Sequence, residues 1–160
     1  MIKIFSTGGT IDKIYFDAKS EFQVGEPLIG EIFGDSFVAF DYAVESILRK
    51  DSLDMNDEDR ALVRGHVEQE SCQQIIVTHG TDSMVETGRA LLDIPDKTIV
   101  LVGAMQPARL RKSDATFNLG FAVAAVQLLP AGVYVAMNGR VFDPRTAVKN
   151  VAENRFEIQK

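Results

Sequence analysis

Cysteine and histidine are scarce in this chain of 160 residues, which contains one cysteine and two histidines. A lone cysteine, Cys72, cannot form an intramolecular disulfide bond. With only His66 and His79 beside it, the chain also lacks the residues that an ordinary zinc site requires. We therefore expect neither a disulfide-stabilised scaffold nor a metal site.

Runs of basic residues and long uninterrupted apolar stretches are missing as well. The 17 basic residues are outnumbered by 23 acidic ones and form no stripe, so we expect no nucleic-acid partner. The longest apolar stretch, residues 119–137, is interrupted by Pro130-Ala131-Gly132, which favours a helix, a turn and a strand over a membrane span. No basic region followed by an apolar stretch precedes the first strand, so we expect no secretory leader, no membrane partner and a cytoplasmic location.

Short apolar runs alternate with helical segments along the chain. Hydrophobic residues make up 46% of it, which is an ordinary globular value and enough for the core of one domain. We predict strands over residues 2–6, 37–47, 74–78, 98–103 and 132–138, and helices over 28–33, 55–70, 83–92 and 114–129. This order predicts a single α/β domain with a mostly parallel, doubly wound sheet and helices on both faces.

Polar residues next to the predicted helices indicate where the helices begin. Asn56 can cap the second helix, Ser83 and Glu86 have the spacing of a capping box, and Asp114 can cap the last helix. Residues 10–27 are polar, and we expect them to be irregular. Ligands bind beyond the carboxyl ends of parallel strands, and the polar segments described next fall there.

The first of these segments, residues 6–11, reads STGGTI and directly follows the first strand. Paired glycines let backbone N–H groups, such as that of Gly9, approach a ligand closely, and the Thr10 hydroxyl beside them can act as a nucleophile. A tight turn without further function is the plainer interpretation. A phosphate-binding loop is a weaker alternative, because the Gly-Lys-Ser/Thr ending of that motif is missing.

The second segment, residues 77–83, reads VTHGTDS and lies where a strand ends and a helix begins. Thr81 and Asp82 can both point from the mouth of the sheet, and the helix dipole favours an ionised Asp82. Helix capping alone would also explain this sequence. We interpret His79, set among Thr and Gly, as a structural hydrogen-bonding residue rather than a general base.

Two further polar segments carry candidate residues. Lys149 lies in residues 143–150, DPRTAVKN, and burial would lower its pKa so that it could assist a hydroxyl, although a surface lysine is the ordinary interpretation. Residues 51–56, DSLDMN, offer the Ser52 hydroxyl and turn amides to a carboxylate, or form only a polar loop that caps a helix.

Taken in order, these segments resemble the bacterial L-asparaginase family. TGGTI near the N-terminus and HGTD at residues 79–82 look like the two signatures of that family. Residues 51–55, 102–107 (VGAMQP), 117–119 (FNL) and the Lys149 segment match in the same order. The resemblance covers essentially the whole chain, as an N-terminal catalytic domain over residues 1–160, and we expect the family's C-terminal domain to be absent.

The resemblance implies a role for each matching residue. Thr10 is similar to the nucleophile that attacks the side-chain amide, and Thr81, Asp82 and Lys149 are similar to a second catalytic triad. Ser52 and Asp82 resemble the residues that hold the α-carboxylate and the α-ammonium group of the substrate. The backbone carbonyl of Ala104 is implied to meet the substrate amide.

The reaction that the resemblance implies is acyl transfer, in which ammonia leaves L-asparagine and water then hydrolyses an aspartyl ester on the threonine. No metal and no organic cofactor are implied. The expected partners are a small amino-acid amide as substrate and further copies of the chain in a dimer or tetramer. A glutaminase or another ω-amidase, and a catalytically weak amino-acid-binding or regulatory module, are the alternatives.

Three departures from the family concern the substrate ammonium group and the nucleophile. Because we expect the C-terminal domain to be absent, we also expect the chain to lack the carboxylate that a neighbouring subunit's C-terminal domain supplies in the long enzymes. Leu53 stands where many members have a polar side chain. Phe22 stands where the family places a tyrosine hydroxyl, and we expect Tyr15 to replace it on a segment that closes over the site.

Overall fold

The computed structural model describes residues 1–16 and 21–159 as an alternation of strands and helices. The strands are β1 (Ile2–Gly8), β2 (Lys13–Phe16), β3 (Glu21–Val24), β4 (Tyr42–Lys50), β5 (Gln74–Thr78), β6 (Thr98–Val102), β7 (Gly132–Met137), β8 (Arg140–Phe142), β9 (Ala147–Asn150) and β10 (Arg155–Ile158). The helices are α1 (Ile29–Asp35), α2 (Asp57–Gln69), α3 (Met84–Ala90) and α4 (Ala115–Leu128). Two 3₁₀ turns, Thr10–Asp12 and Ser52–Asp54, follow β1 and β4.

Six strands form one sheet in the order β4-β1-β5-β6-β7-β8. All neighbours pair in parallel except β8, which runs antiparallel to β7. The chain passes from β1 to β4 on one side and then returns across β1 to β5 on the other, so the direction of winding changes at β1. The prediction of a single α/β domain with a mostly parallel sheet is therefore confirmed.

Apolar strands in the middle of the sheet form the core of the protein. Every residue of β6 is buried, as are residues 75–78 of β5, because helices and loops cover both faces of these strands. Val63 and Val67 of α2 and Leu119 and Val126 of α4 bury their side chains against the same cluster. Among the described residues, no helix is both long and apolar enough to cross a membrane.

The segment that we expected to be irregular, residues 10–27, has regular structure in its described part. Thr10–Asp12 forms a 3₁₀ turn, and β2 and β3 pair antiparallel as a hairpin. The prediction was wrong because apolar and polar residues do not alternate clearly in these two short strands. The strands are formed by pairing with each other, which no local pattern indicates. Residues 17–20 lie outside the described residues.

The predicted helix starts are correct, but only one of the predicted caps forms. Asn56 accepts a hydrogen bond from the Asp59 amide, and the Asp59 carboxylate accepts one from the Asn56 amide, which completes a capping box. Ser83 and Asp114 occupy the expected cap positions without making cap bonds. Both side chains instead bind neighbouring loops of the candidate site, so a tertiary contact replaces the local one.

Candidate active site

Four loops meet at the carboxyl edge of the sheet because the strands that lead into them are parallel neighbours. Thr10 follows β1, Ser52 follows β4, Thr81 follows β5 and Ala104 follows β6. The strand order therefore brings together residues that are far apart in the sequence. This edge, at the point where the winding changes direction, is the position where open α/β sheets bind ligands.

Three glycines allow these loops to touch through their backbones. A Cβ on Gly9 would lie 2.5 Å from the Gly80 Cα, and one on Gly80 would lie 2.5 Å from the Ser52 hydroxyl. A Cβ on Gly103 would collide with the His79 carbonyl oxygen. Real Cβ atoms do not approach other atoms so closely. A side chain at any of these three glycines would therefore push the neighbouring loop out of its place.

Lys149 joins the loop after β5 to the C-terminal part of the chain. Its Nζ lies 2.8 Å from the Thr81 Oγ1 and 2.6 Å from the Asp82 Oδ1, and it donates a hydrogen bond to each. Thr81 is buried, while the Asp82 side chain is 35% exposed, so this trio lies at the border between core and solvent. It lines an open pocket of about 350 Å³ together with residues of α3 and β9.

The three residues of this trio were all predicted, and the structure brings them into contact. Thr81 and Asp82 lie in the turn before α3, where the chain leaves a central strand. Lys149 lies on β9, which is held by pairing with β10 rather than by the main sheet. A hydroxyl, a carboxylate and an amine at hydrogen-bond distance can share and transfer a proton, as general acid–base catalysis requires.

Ser52 is buried and is hydrogen-bonded to the loop that carries Thr81 and Asp82. Its Oγ accepts a hydrogen bond from the Asp82 amide at 3.2 Å, and its carbonyl accepts one from the Ser83 hydroxyl at 2.6 Å. The Ser83 side chain thus does not cap α3 but bridges to the loop after β4. The adjacent Leu53 side chain is 76% exposed at the same turn.

The glycine turn before Thr10 is arranged differently from our expectation. The Gly9 amide donates to the Lys50 carbonyl at 2.9 Å, and the Gly8 amide donates to the Ser6 hydroxyl at 3.4 Å. Both N–H groups are therefore already used inside the protein, which is a correction to the idea that they face a ligand. The two glycines, with φ of 92° and 85°, serve instead to bend the chain closely past β4 and Gly80.

Ala104 is buried in the loop after β6, which two side chains of the α4 start hold in place. The Asn118 Nδ2 donates to the Gly103 carbonyl at 3.1 Å, and the Asp114 carboxylate accepts hydrogen bonds from the Met105 and Gln106 amides. Sequence reasoning missed these two supporting roles. The four-residue spacing of Asp114 and Asn118 on one helix face, where they also bond to each other at 2.8 Å, was the available signal.

Tyr15 and Phe22 are direct partners across the β2–β3 hairpin. Their rings lie on the same face, 5.5 Å apart and edge-on, and the two side chains are 54% and 49% exposed. Phe22 also lines an open pocket of about 490 Å³ with Asp51, next to the Ser52 turn. The hydroxyl of Tyr15 and the ring edge of Phe22 therefore belong to one surface of the hairpin.

His79 is completely buried, and both ring nitrogens are used within the protein. Nδ1 lies 2.8 Å from the Gly80 carbonyl and Nε2 lies 2.7 Å from the Thr87 hydroxyl. Burial lowers the pKa of His79 to about 4, which keeps the ring neutral near pH 7. This confirms its interpretation as a structural hydrogen-bonding residue that positions the loop after β5.

Fold and site together define a class of protein: an α/β domain with a glycine-lined threonine turn at the switch point of the sheet and a Thr–Asp–Lys trio beside it. The family model described as "Asparaginase, N-terminal" matches residues 1–159. The chain therefore belongs to the asparaginase family, which confirms the resemblance seen in its sequence.

Individual relatives agree with this assignment. The chain is 35% identical over 161 residues to "L-asparaginase 2" of Escherichia coli, a match that covers 92% of this chain and 46% of the relative. It is 36% identical over 118 residues to "Glutaminase-asparaginase" of Acinetobacter glutaminasificans, covering 71% of this chain and 34% of the relative.

Solved structures show the same correspondence. A probable cytoplasmic L-asparaginase from Campylobacter jejuni superimposes with a TM-score of 0.81 at 32% identity, covering 98% of this chain and 51% of that one. The chain thus spans about half the length of the solved relative, and less than half the length of the two curated relatives.

Proposed function

We propose that this chain carries the acyl-transfer site of an amidohydrolase that releases ammonia from the side-chain amide of L-asparagine. The observation that supports this most directly is the trio of Thr81, Asp82 and Lys149, with Lys149 hydrogen-bonded to both partners. Family membership supports the amidohydrolase class, and the names of the two curated relatives both include asparaginase.

Thr10 acts as the nucleophile in this proposal. Its hydroxyl oxygen attacks the amide carbon, the carbon–nitrogen bond breaks, and the hydroxyl proton leaves with the nitrogen as ammonia. Water then attacks the resulting ester, which releases aspartate and restores the Thr10 hydroxyl. The Thr81–Asp82–Lys149 trio moves the protons, since its hydroxyl, carboxylate and amine are already in hydrogen-bond contact.

The remaining residues of the site bind the substrate or hold the loops around it. The Ser52 Oγ accepts its hydrogen bond from the Asp82 amide, so its own proton is available for the substrate carboxylate. Asp82, partly exposed, attracts the ammonium group, and the Ala104 carbonyl accepts from the substrate amide. Gly9 contributes by bringing the Thr10 turn against Gly80. Tyr15 closes over Thr10 on the hairpin when substrate binds.

A glutaminase activity is the second candidate, because the Acinetobacter relative is named for both amides. A cytoplasmic location and a homodimer or homotetramer belong to the same proposal. The location is supported by the name of the Campylobacter relative.

The decisive experiment measures ammonia release by the purified chain from asparagine, glutamine and a simple amide without α-substituents. We expect turnover of asparagine that Thr10→Ala reduces by several orders of magnitude while the fold is kept. Thr116→Ala, at an exposed position of α4, is the matched control and should behave as wild type.

Other results of the ammonia-release experiment would change the proposed role of Thr10 or the proposed substrate. Near-normal ammonia release by Thr10→Ala would remove Thr10 from its role. Preference for glutamine or for the simple amide would favour another ω-amidase. Asparagine binding by calorimetry without ammonia release from any of the three would identify an amino-acid-binding module and contradict the proposal.

A further inference from the structure

A buried carboxyl group lies two residues after Thr10, where the proposed mechanism does not use it. Asp12 is 2% exposed. Its Oδ2 accepts a hydrogen bond from the Ser6 hydroxyl at 2.9 Å, and its Oδ1 accepts one from the Leu28 amide at 3.0 Å. A carboxylate is rarely buried with only neutral partners, so its presence here requires an explanation.

Asp12 also ties together both ends of the β2–β3 hairpin. The chain enters the hairpin directly after Asp12 and returns at Gly25, whose amide donates to the Asp12 carbonyl at 2.9 Å. The side-chain bond to Leu28 reaches the next segment, and the bond from Ser6 reaches β1. One residue thus joins the strand before Thr10 to the segment that follows the hairpin.

The Ser6 hydroxyl connects this carboxyl group to the glycine turn. It has one proton, which it donates to Asp12, and it accepts a hydrogen bond from the Gly8 amide at 3.4 Å. The Asp12 amide, on its other side, donates to the Gly9 carbonyl at 3.2 Å. The Thr10 hydroxyl is therefore carried by a turn that is held from both sides through Asp12.

We propose that ionised Asp12 is a positioning residue for the nucleophile turn, because it orients the Ser6 hydroxyl so that Ser6 can hold the Gly8 amide. The proposal rests on Thr10 being the nucleophile. When Asp12 takes up a proton on Oδ2, it donates that proton to Ser6, and the Ser6 hydroxyl proton loses its acceptor and rotates away. The lone pair that receives the Gly8 amide is then no longer held in one direction. The bond that holds the Gly8 amide is weakened, while the bonds from the Gly9 amide to Lys50 and from the Asp12 amide to Gly9 remain.

The surroundings of Asp12 place this protonation near neutral pH. Burial raises the pKa of Asp12 to about 6, against the opposing effect of the bonds from Leu28 and Ser6. The groups that face it from β1 and from the start of α1 are the neutral Ser6 hydroxyl and Leu28 amide. The next residue, Lys13, forms an ion pair with Asp51, in which its Nζ lies 2.6 Å from the Asp51 Oδ2.

The test compares the pH dependence of kcat for asparagine in wild type, Asp12→Asn, Ser6→Ala and the double variant. Wild-type kcat should fall about tenfold between pH 7 and pH 5, as expected for a single ionisation near pH 6. Asp12→Asn places an amide donor against Ser6 at every pH. Its kcat should therefore stay low, near the wild-type value at pH 5, with KM nearly unchanged and no fall at acidic pH.

Ser6→Ala is a small change, so it serves as the second variant if Asp12→Asn does not fold. It removes the connection itself and should also abolish the acidic fall, and the double variant should be no worse than either single one. Asp35→Asn, at the exposed end of α1, is the matched control and should keep the wild-type profile. A wild-type profile in Asp12→Asn, or losses that multiply in the double variant, would overturn the proposal.

A second measurement does not need activity. Amide hydrogen exchange of the peptide that covers residues 6–12, corrected for intrinsic rates, should show less protection in Asp12→Asn than in Asp35→Asn at pH 7. Equal protection in these two variants would contradict the positioning role. If the wild type releases no ammonia but the exchange result holds, the proposed function is wrong and the role of Asp12 in the turn stands.

Discussion

Lys149 makes the contacts that a proton-transfer role requires, although apart from the family resemblance its local sequence is that of a surface lysine. Its side chain is 17% exposed, and both of its partners lie in the loop after β5. The hydrogen bond from the Lys149 Nζ to the Thr81 hydroxyl is 2.8 Å long, which is an ordinary length, so a small displacement of either atom would weaken it. The residue therefore offers a direct test of the proposed chemistry at the scale of one side chain.

We expect Lys149→Met to lower kcat for asparagine by roughly 10²-fold to 10⁴-fold, because a group that transfers a proton is lost. Thr81→Val should have a similar effect, and the double variant should be little worse than either, since the residues act as a unit. Steady-state kinetics with thermal melting would measure this, and Lys112→Met on the exposed loop is the control. If each single variant kept more than about half of the activity, the role of the trio would be refuted.

Tyr15 and Phe22 allow a comparison of two positions on one hairpin face. Tyr15→Phe keeps the edge-on ring contact and removes only the hydroxyl, so we expect turnover to fall while the melting temperature stays the same. Phe22→Tyr adds a hydroxyl on the same face and should partly restore turnover in the Tyr15→Phe background. Full activity in Tyr15→Phe would instead show that this ring only stabilises the hairpin.

At the scale of the element, the site consists of loops that pack against one another at glycine residues. The loops after β1, β5 and β4 touch one another at Gly9 and Gly80, where side chains would not fit. Asp114 and Asn118, at the start of α4, hold the loop after β6 through hydrogen bonds to its backbone. Because each loop is the packing surface of the next, a displacement of one is expected to reach the others.

Gly9→Ala tests this dependence. Gly9 has φ of 85° and ψ of −172°, which an alanine adopts only with strain, and its Cβ would meet the Gly80 backbone. We expect a loss of more than about 2 kcal/mol in the free energy of unfolding, together with a loss of activity.

Gly65→Ala is the control for that change. Gly65 lies inside α2 with open space around its Cβ position, so alanine should stabilise the protein by about 0.5–1 kcal/mol. Urea unfolding of both variants measures the difference. Equal effects at the two glycines would show that the close approach of the loops contributes nothing.

At the scale of the whole molecule, two buried groups give opposite contributions to the pH dependence of stability. The pKa of Asp12 is raised from 3.8 to about 6, so its contribution is present below about pH 4 and is lost as the pH rises through 6. The pKa of His79 is lowered from 6.5 to about 4, so its contribution is present above pH 6.5 and is lost as the pH falls through 4. Between these limits the two contributions partly cancel.

Asp12→Asn should expose the contribution of His79. Without the titrating carboxyl group, the free energy of unfolding should fall more steeply on acidification than in wild type. The expected difference is about 2 kcal/mol between about pH 6.5 and pH 4.5. Urea unfolding at several pH values measures it, with Asp35→Asn as the control. Parallel curves for wild type and Asp12→Asn would mean that Asp12 does not titrate in this range.

Local sequence patterns were sufficient for the main elements. The apolar runs of β5 and β6 and the Asn56 cap of α2 are visible in the chain because burial on both faces and capping each select residue types at nearby positions. The hairpin of β2 and β3 and the short strands β8 to β10 were missed. Each of them has only a few residues, so its strand character depends on its partner.

The sequence by itself determined the order of strands and helices, the class of fold and the segments in which candidate residues lie, because these follow from periodicity and from short motifs. The family resemblance implied the triad of Thr81, Asp82 and Lys149, but no local pattern decided which residues meet, and the contacts themselves come from the tertiary structure. It places Lys149 against Thr81 across 68 positions, directs Ser83 to Ser52 instead of to its own helix, and uses the Gly9 amide within the protein. These are contacts between distant segments, and their geometry depends on how strands pair in the sheet, which no local pattern records.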